Sequence, residues 1–297
     1  CEIGFVAMSK AERLRGPEGH LYLEARNKEK LKLEAYKSWE LMSKEEASEY
    51  LNNGGKAIPL VVLLTKKRCG RHKARGVVLG DRWDNPVDSQ TYSPVVSGPA
   101  NRWLWAYSIS EGHHVEMFDI ENAFLQAHLG GEFGEVVIKL PPEWIAENTS
   151  GYARLLKAVY GLPIAPLAWY KTYHKTLDKL GWIRGIEPGL YKKRSSDGKS
   201  WLLLSVYVDD NVISGKHKRE MENEMQKILK VHPGTVVKSE NKGTGVLRDV
   251  LGSDYLYDQA NQSLSITMSK YIDKIAEEFK MVGCREIHSP SFSEEEL

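Results

Sequence analysis

Three aspartates in two places carry most of the chemical promise of this chain. Asp209 and Asp210 stand side by side in Tyr207-Val208-Asp209-Asp210, behind the apolar run Trp201-Leu202-Leu203-Leu204-Ser205-Val206 and ahead of Val212 and Ile213. That pattern predicts a β-hairpin with the acids at its tip. Neighbouring carboxylates repel each other and gain nothing from burial, so a fold keeps them together only against compensating positive charge. Hard divalent cations such as Mg²⁺ prefer carboxylate oxygen and would supply it. On its own, an Asp-Asp pair is also ordinary in a solvated turn.

The third acid, Asp119, lies ninety residues earlier, near the end of the predicted strand Val115 to Ile120. Adjacent antiparallel strands run about 5 Å apart. If these elements are neighbours, the three carboxylates converge at one sheet edge. Such a set can hold two divalent ions about 3.5–4 Å apart, one activating an attacking oxygen and one steadying the leaving oxygen. Phosphoryl and nucleotidyl transfer are the reactions this geometry suits, because positioning and charge stabilisation carry most of their catalysis.

The elements that must position these acids are mixed. Residues 1 to about 55 are charge-rich with helical spacing and predict one or two surface helices ending at Asn52-Asn53-Gly54-Gly55. Ala57 to Thr65 reads as a buried strand and Gly76 to Leu79 as a second one, with a basic stretch between them. Pro86 to Pro99 is turn-rich, and Trp103 to Ile109 predicts a packed helix. A turn or helix at Asn122 to His128 and a strand at Val136 to Leu140 follow. The helix Pro166 to Leu180 comes next, then the acidic hairpin and the helix Lys218 to Lys230. Ser263 to Val282 reads as a strand entering a helix. Strands and helices without regular alternation argue for an α+β fold with a largely antiparallel sheet.

The bulk properties are those of a globular protein: 297 residues, 27% charged, 41% hydrophobic, net charge +1. Overall charge therefore announces no nucleic-acid partner. Thr65 to Arg75 nevertheless holds six Lys/Arg and no acid, either a solvated face or a phosphate-facing patch. Cys1, Cys69 and Cys284 are scattered, which points to a reduced compartment and away from zinc. His113-His114 lack metal-ligand spacing and read as ordinary residues near a strand start. No apolar run reaches membrane-spanning length and no signal peptide is visible, so no membrane partner is expected. A first residue of Cys rather than Met reads as a piece of a longer precursor or gene model.

Several ordered motifs together resemble the reverse transcriptase of copia-type LTR retrotransposons. Lys73-Ala74-Arg75 resembles the family's K-A-R, and Tyr92-Ser93-Pro94-Val95-Val96 its F-[AS]-P-V-V. Phe118-Asp119-Ile120-Glu121-Asn122-Ala123-Phe124-Leu125 resembles D-V-x-x-A-F-L. Val159-Tyr160-Gly161-Leu162 with Ala165-Pro166 and Trp169-Tyr170 resembles L-Y-G-L-K-Q-[AS]-P-R-x-W-Y. Tyr207 to Asp210 matches Y-V-D-D, and Val250-Leu251-Gly252 and Ser269-Lys270-Tyr271-Ile272 resemble later segments. The resemblance covers about residues 57–290.

Carried over position by position, it implies a right-hand polymerase with fingers, palm and a partial thumb. A helical extension at 1–56 would precede fingers at 57–110. A palm at 111–235, interleaved with a fingers segment, would be followed by its end and the start of a thumb at 236–297. Asp119, Asp209 and Asp210, with the Ile120 backbone, would hold two Mg²⁺ or Mn²⁺ ions. Lys73 and Arg75 would grip a deoxynucleoside triphosphate, with Gly161 and Tyr207 also at the substrate. Phe124 falls where the family places a steric gate against a 2′-hydroxyl, although a phenylalanine behind a strand is also ordinary core. Partners would be an RNA or DNA template with its primer and other Pol polyprotein domains, in cytoplasmic virus-like particles with nuclear passage. There are departures. Pro163-Ile164 replace Lys-Gln, Leu167 replaces Arg, and Asn211 and Gly76 replace apolar residues. These losses leave open a catalytically dead or domesticated relic that only binds nucleic acid.

Overall fold

A computed structural model describes residues 10–66, 70–83, 91–242 and 245–284. The middle of the basic stretch, part of the Pro86 to Pro99 connection and the acidic last residues lie outside them. The fold is α+β with three sheets. The first joins β1 (Trp39–Leu41), β6 (Tyr152–Leu155), β5 (Val137–Lys139), β2 (Ile58–Lys66) and β3 (His72–Val78) in that order. The second joins β11 (Gly234–Val236), β4 (His114–Ile120), β10 (Asp210–Gly215), β9 (Trp201–Tyr207), β8 (Leu190–Arg194) and β7 (Ile183–Arg184). The third joins β12 (Glu240–Asn241), β13 (Val246–Val250), β14 (Ser253–Asp258) and β15 (Ser263–Thr267). Among the described strands every pairing is antiparallel except β2 with β5.

The central strands of the six-stranded sheet are buried on both faces, which is why β9 and β10 read as near-continuous apolar runs. Helices α5 (Ala165–Lys179) and α6 (Lys218–Val231) cover one face. The first buries Ala165, Ala168, Trp169, Tyr173 and Leu177, the second Met221, Glu224, Met225 and Ile228, each set at helical spacing. They pack on Phe118, Ile120, Leu202, Leu204, Val206 and Ile213. The alternate residues Val115, Met117, Leu203 and Val212 meet α4 (Gly98–Ser110) and Tyr255 and Tyr257 of the third sheet. Strand periodicity thus sorts odd from even positions of β4 into two cores.

Two local differences from the sequence expectation have physical reasons. The second strand of the first sheet starts at His72 rather than Gly76, pairing Lys66 with His72 and Leu63 with Arg75. Lys73 and Arg75 alternate with the buried Ala74 and Gly76, so basic charge on the wetter face hid the strand. In the N-terminal region, α2 (Gly19–Ala35) and α3 (Lys44–Asn52) flank the three-residue β1, too short for periodicity to reveal. Helix α2 lies along the edge strand β3, where the buried Glu29 carboxylate accepts the Gly76 N–H at 3.1 Å. A side chain at Gly76 would meet Leu33 at 2.9 Å, so the glycine allows this docking. His113 is buried with its Nδ1 3.0 Å from Ser214 Oγ, a core histidine at a strand start. Among the described residues no helix is long and apolar enough to cross a membrane.

The loop after β6 is anchored to β3 where the Val78 N–H donates to the Tyr160 carbonyl at 2.8 Å. Gly161 makes this possible: its φ is 86°, and a Cβ would stand 2.1 Å from the Val78 carbonyl oxygen. A left-handed backbone costs an alanine about 1–2 kcal/mol. That is all Gly112→Ala should lose, since its φ is 66° with nothing within 4 Å of the new methyl. Gly161→Ala adds a backbone overlap and should lose at least twice as much. Thermal melts of the two variants check this; equal losses would mean the loop does not dock on β3 as described.

Candidate active site

Strand register decides which carboxylates meet. In the β4–β10 pairing Asp119 stands directly across from Asp210, and Phe118 across from Asn211. The Ile120 N–H donates to the Asp209 carbonyl at 2.9 Å. Alternation then places Asp119 and Asp210 in a non-hydrogen-bonded pair, where Cα atoms approach to about 4.5 Å and side chains come closest. Both project with Met117 and Val212, towards the core shared with α4 and the third sheet. The Ile120 backbone is held from both sides, by Asp209 and by its pairing with Gly234 of β11. A Cβ on Gly234 would fall 2.2 Å from the Asp119 carbonyl oxygen, so only glycine lets β11 close on this strand end.

The hairpin loop is two residues long, Val208 and Asp209, and Val208 has φ 58°. Positive φ at the first loop position alone is the sign pattern of a type II′ hairpin. A β-branched residue there is strained, at a cost on the order of 1–3 kcal/mol. Contacts offset it: Val208 packs on the core under α5, and the Trp169 indole N–H donates to its carbonyl at 2.8 Å. The Asn211 amide donates to the Asp209 carbonyl at 2.8 Å.

The electrostatics fit a cation. Burial first, then the charges of Asp209, Asp119 and Asp249, push the Asp210 carboxyl up to about 6. Asp249, on β13, is a contributor the sequence did not reveal. Among the described residues no three His, Cys, Asp or Glu side chains already form a metal cage. The donors are nevertheless hard oxygens whose mutual repulsion a divalent ion would relieve.

Other expected site residues group unevenly. Arg75 lies over the Tyr160 ring at 4.7 Å, and Tyr160 meets the Phe124 ring edge-to-face at 5.3 Å. A continuous row therefore runs from β3 to the turn behind β4. Phe124 is half-buried on the border of the core. Tyr207 ends β9 opposite Asp210 and is 40% exposed. Lys73 shares the Arg75 side of β3 and lines a groove against α2 with Lys28, Lys32 and Arg71. The close approach that Gly161 permits here is to β3 itself. Of the departures, Ile164 is fully buried and Pro163 packs on Gly80, so apolar packing occupies those positions.

Because the folded carboxyl of Asp210 titrates near 6 and an unfolded aspartate near 3.9, the native state holds the extra proton between those values. Stability contributed by protonated Asp210 is full below about 4 and lost as pH rises through 6. Asp210→Asn should therefore raise the melting temperature at pH 7.5 in EDTA, with the gain vanishing towards pH 4.5. A gain independent of pH would show that charge repulsion is not its source.

Comparison with known proteins gives this geometry its context. The family described as reverse transcriptase (RNA-dependent DNA polymerase) has a model that matches residues 37–293. The chain is 28% identical over 225 residues to the retrovirus-related Pol polyprotein from transposon TNT 1-94 of Nicotiana tabacum, covering 74% of this chain and 16% of that protein. It is 33% identical over 148 residues to the corresponding polyprotein from transposon RE2 of Arabidopsis thaliana, covering 49% and 10%. With the transposon Ty1-BL Gag-Pol polyprotein of Saccharomyces cerevisiae it shares 24% identity over 243 residues, covering 82% and 13%. The chain thus spans about a sixth or less of the length of these relatives. It belongs to the reverse transcriptase (RNA-dependent DNA polymerase) family, within the branch found in copia-type retrotransposon Pol polyproteins.

Proposed function

We propose that this chain extends a primer 3′-hydroxyl with deoxynucleoside triphosphates on an RNA or DNA template, by two-metal nucleotidyl transfer during retrotransposon replication. The observation that carries this reading is the cross-strand pair of Asp119 and Asp210, with Asp209 next to it on a strained, clamped hairpin. Those three side chains and the Ile120 backbone would hold two Mg²⁺ or Mn²⁺ ions. The ions would lower the barrier by activating the attacking oxygen and steadying the leaving one. The cage is completed only on binding, because the backbone register is set while the carboxylates repel.

The remaining roles belong to the same proposal. Lys73 and Arg75 share one side of β3 and receive the triphosphate, Arg75 with its guanidinium held over the Tyr160 ring. Phe124, backed by Tyr160, offers a rigid half-buried ring edge that excludes a 2′-hydroxyl. Gly161 and Tyr207 complete the nucleotide and primer surface. In this assignment residues 57–110 form fingers, 111–235 a palm with an interleaved fingers segment, and 236–297 the end of the palm and start of a thumb. Residues 1–56 are the extension before them. Other Pol polyprotein domains and cytoplasmic particles with nuclear passage complete the setting. One observation favours a second reading, a silent nucleic-acid binder: apolar packing at Pro163, Ile164 and Leu167 stands where the family carries two positive charges and an amide.

Primer extension on poly(rA)–oligo(dT) with Mg²⁺ or Mn²⁺ tests both. Asp209→Asn and Asp119→Asn should each lower the rate by roughly three orders of magnitude, with melting temperature unchanged or raised. Normal extension by both variants contradicts the catalytic assignment. A wild type that binds primer–template but is inert with either metal establishes the silent binder. For the sugar, Phe124→Val should raise ribonucleotide relative to deoxyribonucleotide incorporation by roughly a hundredfold. An unchanged ratio in an active variant would return Phe124 to the core.

A further inference from the structure

The residue after the acidic pair, Asn211, is fully buried in the middle of a sheet, where an apolar side chain would be ordinary. A buried amide is kept only when its hydrogen bonds are met. Here its Nδ2 donates to the Asp209 carbonyl at 2.8 Å, and its Oδ1 accepts the Tyr173 hydroxyl at 2.8 Å. Tyr173 is itself 2% exposed, and its ring stacks on Trp169 at 5.0 Å. Trp169 donates its indole N–H to the Val208 carbonyl. Both carbonyls of the two-residue loop are thus bonded by side chains, one from α5 directly and one through Asn211 seated on α5. His232 packs edge-on against Trp169 and Tyr173 and closes the other end of the row, bonding Thr176 and Gln126.

We propose that Asn211, held by Tyr173, is a positioning residue that fixes the main chain of Asp209 so that its carboxylate meets the cation in one orientation. The metal role of Asp209 rests on the reading given under Proposed function; the positioning of its backbone does not. Asn211 and Tyr173 form one unit. Removing the amide strands a buried hydroxyl, removing the hydroxyl strands a buried amide oxygen, and removing both leaves an apolar contact. The strained φ at Val208 gives the unit its task, since an unclamped loop would relax towards ordinary backbone.

Hydrogen exchange on the metal-free protein tests the positioning without requiring polymerase activity. Asn211→Ile should speed exchange of the Ile120 amide, which donates to the same Asp209 carbonyl, and of the amides over 208–210, by roughly tenfold or more. Exchange in β8 and α6 should be unchanged. Tyr173→Phe removes one oxygen, keeps the ring stacking and should give a smaller change at the same amides. The double variant should match Asn211→Ile at the tip while recovering thermal stability lost by either single change. Tip exchange equal to wild type in both single variants overturns the proposal, as does loosening spread evenly over the sheet. In primer extension Asn211→Ile should raise the half-activating Mg²⁺ concentration several-fold and lower kcat, with KM for dNTP within twofold. A shifted tip exchange with unchanged metal response would instead mean that Asp209 is not a metal ligand. Failure of the metal reading and failure of the positioning reading are thereby told apart.

Discussion

The fold depends on one pairing register, β4 against β10, which sets Asp119 across from Asp210 although both are acids. Like charges directly opposite in a sheet destabilise it. Here burial and two further aspartates deepen the cost enough to hold the Asp210 carboxyl near 6. A one-residue slip would separate the pair and also turn either Phe118 and Ile120 of β4 or Ile213 of β10 out of the core beneath α5 and α6. Hydrophobic burial on both faces therefore enforces an arrangement that electrostatics opposes. A protein that retains such a conflict at the end of two central strands has a site suited to a cation.

The surroundings convert register into geometry. Gly234 lets β11 close against the Asp119 backbone, and Gly161 lets the Tyr160 loop dock on β3. That docking aligns Arg75, Tyr160 and Phe124 in one row beside the turn that follows Asp119. The helix α5 supplies Trp169 and Tyr173, which hold the hairpin from beneath. Backbone strain at Val208 and carboxylate repulsion at Asp210 are the kinds of local cost found at functional sites. Both are held in place by rigid buried packing.

Much of this was legible in the residues. The apolar runs flanking Asp209 and Asp210 gave the hairpin, and helical spacing gave α5 and α6 to within a residue or two at each end. Asp119 fell at the end of its strand as its apolar neighbours required. What stayed hidden was hidden for physical reasons. The basic residues of β3 lie on its wetter face and masked its period, and β1 is too short to have one. Asn211 stood out as an oddity, but its partner Tyr173 lies 38 residues away on another element. The glycines at 161 and 234 carry their meaning in close backbone approaches that only tertiary structure creates. The charge of Asp249 acts on Asp210 from the third sheet, whose short strands carry weak periodicity.

With Asp209 beside it, the Asp119–Asp210 register would make a divalent-cation site. Crystals of the protein soaked in Mn²⁺ and measured at the manganese absorption edge test it most directly. An anomalous peak should appear at bonding distance from carboxylate oxygens of both strands, Asp119 on one and Asp209 or Asp210 on the other. Manganese bound only elsewhere, or bound at the hairpin with Asp119 turned away, would contradict it.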